Sequence, residues 1–306
     1  MTKLEKANIP GVIVHEIGKS EKDNEIYVVE INDPKATVEE LKERRVVLIY
    51  ANEDGDEPDG CWVVNGAMNY LLKGIQGEDK EVKKILSQVT FIFIPFFDSV
   101  GWVNSTYGAM AYDFKYKGYD EYHRPEILAY TSFINKWCGY NKKRLDVVVN
   151  LHNIECNEGP NVMSPLLDTL KYNDILSLNK SLAPAFNDFS IDFKTVWLEG
   201  YTDTRFMGWI SKMWGSIPVL YEINSRYPEN RMNLAKLDNL GEAFVKGFYG
   251  YFASDEYEKA LPSIDYTFSN QTKAVRGFID NKILTKDEGL ALYYNLEKGF
   301  YFPNSN

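Results

Sequence analysis

Cysteine and histidine are the scarce residues of this 306-residue chain, three of each. Cys61, Cys138 and Cys156 are odd in number, far apart and in no metal-ligating spacing. That argues against a disulfide scaffold and against a thiolate zinc site. We read them as free thiols of a reducing compartment and the chain as cytoplasmic, with a virion component as the other location considered. No stretch approaches the ~18 apolar residues of a membrane span, and "MTKLEKANIPGVIVHEIG" contains no apolar core of a secretory leader. Positive charge is also short. Lys and Arg number 34 against 44 Asp and Glu, giving a net charge of −10 and a pI near 5.0, with no basic block. The expectation is a protein that engages neither nucleic acid nor an anionic membrane. Internal repeats and low-complexity segments are missing too.

What is present is a recurrent pattern of short apolar runs rich in Val, Ile and Phe. "EIYVVEI" (25–31) alternates and predicts a strand. "RVVLIYA" (45–51), "VTFIFIPFF" (89–97), "LDVVVNL" (145–151) and "IPVLYEI" (217–223) are continuous, as strands buried on both faces should be. "DFKTVWL" (192–198) reads as a further strand. Helical spacing marks 60–75, 124–139, 203–215 and 239–252, with Pro125 in a first turn. Strands alternating with helices predict an α/β fold: a mixed, largely parallel central sheet with helices on both faces. The pattern changes after residue 256. We divide the chain into a domain over 1–256 and a helical extension over 257–306, which packs on that domain or leads to a partner or an oligomer contact.

In such sheets ligands sit beyond the carboxyl ends of the strands, and acids collect there. After the run 45–51 come Glu53, Asp54, Asp56, Glu57 and Asp59; Asp98 follows the run 89–97, His152 follows 145–151, and Glu222 lies near the end of 217–223. Five carboxylates in one loop repel one another, so either water solvates them or some hold a cation. A carboxylate inside an apolar strand, as at Glu222, needs a cation, a donor or a raised pKa. Of the histidines, His15 and His123 lie elsewhere, and His152 alone ends a strongly apolar strand. One imidazole with two or three carboxylates at one sheet edge suits a divalent ion such as Zn²⁺, with a further carboxylate as general base.

These segments resemble the zinc carboxypeptidase family, the carboxypeptidase A-like fold that also includes related deacylases. "LIYANEDGDEPDGCWVVNGAMNYLL" is similar to the strand, Ala-Arg-x-His-Pro-Gly-Glu and helix of that family. Glu57 stands at the ligand glutamate and Asp54 where a ligand histidine is expected. "FIFIPFFDSVGW", "RPE", "LDVVVNLHNIE" and "GSIPVLYEIN" follow in family order. The resemblance makes His152 the third zinc ligand and Glu222 the catalytic glutamate. It implies a three-layer carboxypeptidase-like sandwich and one zinc ion. The Asn-Arg pair that binds a C-terminal carboxylate falls at Lys115 and Tyr116, and the segment for a second arginine, "VNSTYG", holds Thr106 and no Arg. Tyr201 and Arg205 lie near the offset of the family's mobile tyrosine.

The resemblance therefore implies a zinc-dependent amide or peptide hydrolase: Asp54, Glu57 and His152 hold the metal, and Glu222 activates water. Lys115, Tyr116, Tyr201 and Arg205 are the candidate contacts to a small peptide or acyl-amide substrate with an unusual end group. Asp in place of His makes the ligand set harder and more negative. The competing expectations are a catalytically degenerate binding module on the same fold, with its metal weak or lost, and a structural, phage-type assembly protein. In the family register the remaining acids of the loop are expected to face solvent.

Overall fold

The computed structural model describes residues 4, 7–104, 124–141, 145–154, 161–165, 172–191, 193–195, 206–214, 216–224 and 232–254. Lys115, Tyr116, Tyr201, Arg205 and the extension 257–306 lie outside them.

In chain order the elements are β1 (Val12–Lys19), β2 (Glu25–Ile31), α1 (Val38–Glu43), β3 (Arg45–Ala51), α2 (Asp59–Gln76), α3 (Lys80–Leu86), β4 (Val89–Ile94), α4 (Ser99–Asn104), α5 (Pro125–Asn141), β5 (Val147–Ile154), β6 (Asn161–Pro165), α6 (Tyr172–Asn187), β7 (Phe193–Thr195), α7 (Phe206–Trp214), β8 (Ile217–Asn224) and α8 (Leu234–Phe252). The described strands form one sheet in the order β1-β2-β4-β3-β5-β8-β6-β7. Its centre, β4-β3-β5-β8, is parallel, whereas β1, β2 and β6 join by antiparallel pairings.

Alternation along each central strand sends side chains to two cores. Val47, Ile49 and Ala51 of β3, Val149 and Leu151 of β5, and Val219 and Tyr221 of β8 meet Val64 and Leu71 of α2 and Phe244 and Phe248 of α8. Val46, Leu48 and Tyr50, with Val148 and Leu220, face the opposite way, against Ile127, Tyr130 and Ile134 of α5 and Phe206 and Ile210 of α7. Both faces being covered explains why these strands read as unbroken apolar runs. Each such aliphatic or aromatic side chain contributes roughly 1.5–3 kcal/mol by leaving water. The result is the expected three-layer sandwich.

Helix starts follow local chemistry. The Thr37 hydroxyl and the Glu40 carboxylate exchange hydrogen bonds with each other's backbone in a capping box on α1, and the Asp79 side chain accepts from Glu81 N–H and Val82 N–H at the start of α3. Against expectation, the 89–97 run ends as a strand at Ile94; within 192–198 the described residues, Phe193–Thr195, form the expected strand. The sequence reading did not assign α1, α3, α4, β6 or α6. The edge strand β1 was not assigned either.

Candidate metal centre

The site is built at the carboxyl end of β3 and β5. β3 stops at Ala51, and Asn52 adopts a left-handed backbone (φ 67°), which Asn tolerates better than most residues. The chain leaving β4 is tied to this point, since Phe97 N–H donates to the Ala51 carbonyl (2.9 Å) and Asp98 N–H to the Asn52 carbonyl (2.8 Å). Asn52 Nδ2 and the Glu57 backbone N–H both donate to the Asp54 carbonyl, at 3.0 and 3.1 Å. Gly55 presses on Gly101 so closely that a Cβ there would lie 2.2 Å from the Gly101 carbonyl carbon. The loop is thus a short, tied turn that delivers Glu53, Asp54 and Glu57 inward before α2 begins.

Opposite this loop stands His152. On β5 it shares a face with Asn150 and Val148, turned toward the α5/α7 side of the sheet. Its Nδ1 lies 2.8 Å from Glu57 Oε2 and 3.3 Å from Asp54 Oδ2. Its Nε2 lies 3.3 Å from Glu53 Oε2. Asp54, Glu57 and His152 each offer a ligand atom, all within 4.8 Å of one another. The side chains of His152 and Asp54 are 4% and 2% exposed, and that of Glu57 is 13%. Glu57 Oε2 also accepts the Asn153 N–H at 3.0 Å, which fixes its rotamer toward β5.

The electrostatics suit a cation. Three carboxylates converge on one imidazole in a setting largely closed to water. Burial disfavours the charged imidazolium, but Glu57, Asp54 and Glu53 outweigh it and hold the His152 pKa well above the ordinary histidine range. The same pull that retains a proton draws a metal ion, and the two compete for the imidazole. One nitrogen and two carboxylates leave a fourth position open, as a catalytic zinc site requires. The donor set therefore fits the ion.

Glu222 lies on β8, the parallel neighbour of β5, and is in direct register with His152. It is half-buried, whereas its strand neighbours Tyr221 and Ile223 are fully buried. Asp98 is fully buried, its Oδ1 accepting the Gly101 N–H (2.7 Å), and burial pushes its carboxyl above the ordinary aspartate range. His15 belongs elsewhere, 3.2 Å from Glu30 on β2.

The structure thus brings Asp54, Glu57 and His152 together, with Glu222 on the adjoining strand. His152 lies inside β5 rather than after it. One expectation is corrected. Asp56 faces solvent, but Glu53 is fully buried and Asp59 is 8% exposed. Glu53 is turned inward because Asn52 reverses the backbone and Asn150 Nδ2 donates to Glu53 Oε2 at 2.5 Å. Asn52 is the sequence signal that could have marked this turn.

Residues 1–99 match the family model described as zinc carboxypeptidase. No curated protein matches the chain. Among solved structures, a metallo-carboxypeptidase from Burkholderia cenocepacia superposes with a TM-score of 0.66 at 17% identity, over 82% of this chain and 68% of that one. A metallo-carboxypeptidase from Pseudomonas aeruginosa gives 0.58 at 13%, over 80% and 66%, and carboxypeptidase A from Helicoverpa armigera 0.57 at 13%, over 85% and 70%. The chain spans about two thirds of the length of these structures. At these identities the likeness shows the fold.

Proposed function

We propose that this chain, whose residues 1–99 match the zinc carboxypeptidase model, is a member of that family and a metal-dependent amide hydrolase acting on a small peptide or acyl-amide whose end group is not a standard C-terminal residue. The observation that carries the proposal is the convergence of the Asp54, Glu57 and His152 ligand atoms within 4.8 Å, with Glu222 in register beside them. Solvated loop charges would not be buried together against one imidazole.

In this reading Asp54, Glu57 and His152 hold one zinc ion. Zinc supplies Lewis acidity, drawing electron density from a carbonyl oxygen and from water. Glu222 is the general base: its carboxylate takes a proton from the attacking water and delivers one to the leaving nitrogen. Burial of Asp54 and His152 keeps bulk water away from the ligands. Lys115, Tyr116, Tyr201 and Arg205 are the proposed substrate contacts. Lys115 offers a point charge in place of the forked guanidinium that grips a carboxylate at two atoms, which is why the substrate's end group is proposed to differ.

The test is hydrolysis by zinc-loaded protein of a panel of short peptides and N-acylated amino acids, alongside Glu222→Gln. We expect cleavage of at least one class, and a loss of about 100- to 10,000-fold in the variant with zinc content unchanged. A loaded wild type that cleaves nothing would favour the binding-module reading. A Glu222→Gln variant as active as wild type would remove Glu222 from the reaction.

A further inference from the structure

We infer that Glu53 is the positioning residue of this metal centre: it holds the Nε2 edge of His152, so that the Nδ1 lone pair is presented to an ion shared with Asp54 and Glu57. The inference rests on the metal-site reading above and goes beyond it, because Glu53 is neither a ligand nor a solvated acid.

The geometry separates the four groups into two sets. Asp54 and Glu57 approach Nδ1, at 3.3 and 2.8 Å, whereas Glu53 approaches Nε2, at 3.3 Å. The two nitrogens open onto different edges of the ring, so an ion on Nδ1 is not within reach of a group on Nε2. A metal-ligating imidazole is neutral and has one N–H. If Nδ1 binds the ion, the proton must sit on Nε2, where Glu53 Oε2 is placed to accept it. A carboxylate in that place selects the tautomer, fixes the ring's rotation and makes Nδ1 a stronger donor.

Glu53 is itself held for this role. Its side chain is fully buried, which a charge with no task in the site would not tolerate. Asn150, two residues before His152 on the same face of β5, donates Nδ2–H to the same Oε2 at 2.5 Å. One strand thus supplies both the ligand and the anchor of the residue that orients it. Just past the left-handed Asn52, two adjacent residues, Glu53 and Asp54, reach opposite edges of one ring.

The experiment compares wild type with Glu53→Gln, an isosteric change, in the full chain. Co²⁺ serves as the probe, because its absorption spectrum reports the ligand set and competition with a chelator gives its affinity. The His152 ring is followed by long-range nitrogen–proton NMR in the zinc-loaded protein; with three histidines in the chain its assignment is tractable. We expect an unchanged cobalt spectrum, an affinity lower by about 10- to 100-fold, and a His152 Nε2–H that moves upfield and exchanges faster. A purely structural role would not shift that proton. Should Glu53→Gln fail to fold, Asn150→Ser keeps the carboxylate and removes its anchor, with a smaller change of the same sign expected. Equal affinities and an unmoved proton would overturn this inference and leave the metal site standing. An altered cobalt spectrum would make Glu53 a ligand instead. A wild type that binds no ion would overturn the metal-site reading and this inference with it.

Discussion

Gly60→Ala tests how rigidly the helix start sets the metal centre. Gly60 is in the first turn of α2, three residues after Glu57. A Cβ built there would lie 2.9 Å from both the Ala51 and Leu151 Cβ atoms and 3.0 Å from the Leu151 carbonyl oxygen. None of these is the end of a flexible side chain; they belong to the last residue of β3 and to the body of β5. Carbon atoms rest about 3.5–4.0 Å apart, so the helix would have to retreat by roughly 0.6–1.1 Å. Such overpacking costs about 1–3 kcal/mol, against which alanine's higher helix propensity returns about 1 kcal/mol. The net expectation is a loss of roughly 0–2 kcal/mol, modest because the two effects oppose. The larger consequence is at the site. Glu57 Oε2 is 2.8 Å from His152 Nδ1, and a shift approaching 1 Å disrupts that pairing. Zinc affinity should fall on the order of tenfold, as when support behind a ligand is lost. Urea unfolding and chelator competition measure the two quantities. A Gly60→Ala protein that is more stable and binds zinc as wild type does would refute the reasoning.

Three further outcomes are expected. Glu30 accepts hydrogen bonds from the side chains of Asn32, Trp137 and His15, at 3.1, 3.0 and 3.2 Å; His15 is partly exposed, but Asn32 and Trp137 are buried and stay dry. Glu30→Ala should therefore cost about 2–6 kcal/mol in urea unfolding, near 1–3 kcal/mol for each of the two stranded donors, and a loss below about 1 kcal/mol would count against the network. Burial holds the Asp98 carboxyl above its ordinary range, so the folded state keeps a proton that the unfolded state releases, and its contribution to stability declines as pH rises from about 3.9 toward the folded value. Asp98→Asn, which keeps an oxygen for the Gly101 N–H, should gain on wild type between pH 4 and pH 7; a constant offset across that range would contradict it. Finally, zinc at about 100 times its dissociation constant should stabilise wild type by about 2.7 kcal/mol in thermal unfolding and leave Glu57→Gln largely unaffected, since that variant loses a ligand carboxylate; equal stabilisation of both would count against Glu57 as a ligand.

The central sheet was legible because its strands are buried on both faces, and burial on both faces leaves an unbroken apolar run. That signal located β3, β4, β5 and β8 and the acids at their ends. It weakened wherever a segment has a mixed environment. β1 is an edge strand without a buried residue or a clean alternation, and α1 has no buried residue and reads as a charged loop. β6 pairs antiparallel with β8, a connection that strand–helix alternation does not announce. Within the site, the spacing of Asp54 and Glu57 and the place of His152 were readable, because family order and strand position both point to them. Glu53 was not, because a turn angle decides it: acids in "NEDGDE" are chemically alike, and only the reversal at Asn52 and the donor on Asn150 send Glu53 inward while Asp56 goes to solvent. The candidate substrate contacts Lys115, Tyr116, Tyr201 and Arg205 fall outside the described residues.

The most direct test of the account is the zinc content of the purified protein, by elemental analysis, for wild type and His152→Ala side by side. Asp54, Glu57 and His152 as ligands predict one equivalent of zinc in wild type and loss of it in the variant. No zinc in wild type, or zinc retained at one equivalent in His152→Ala, would contradict the claim that these three residues form the metal centre.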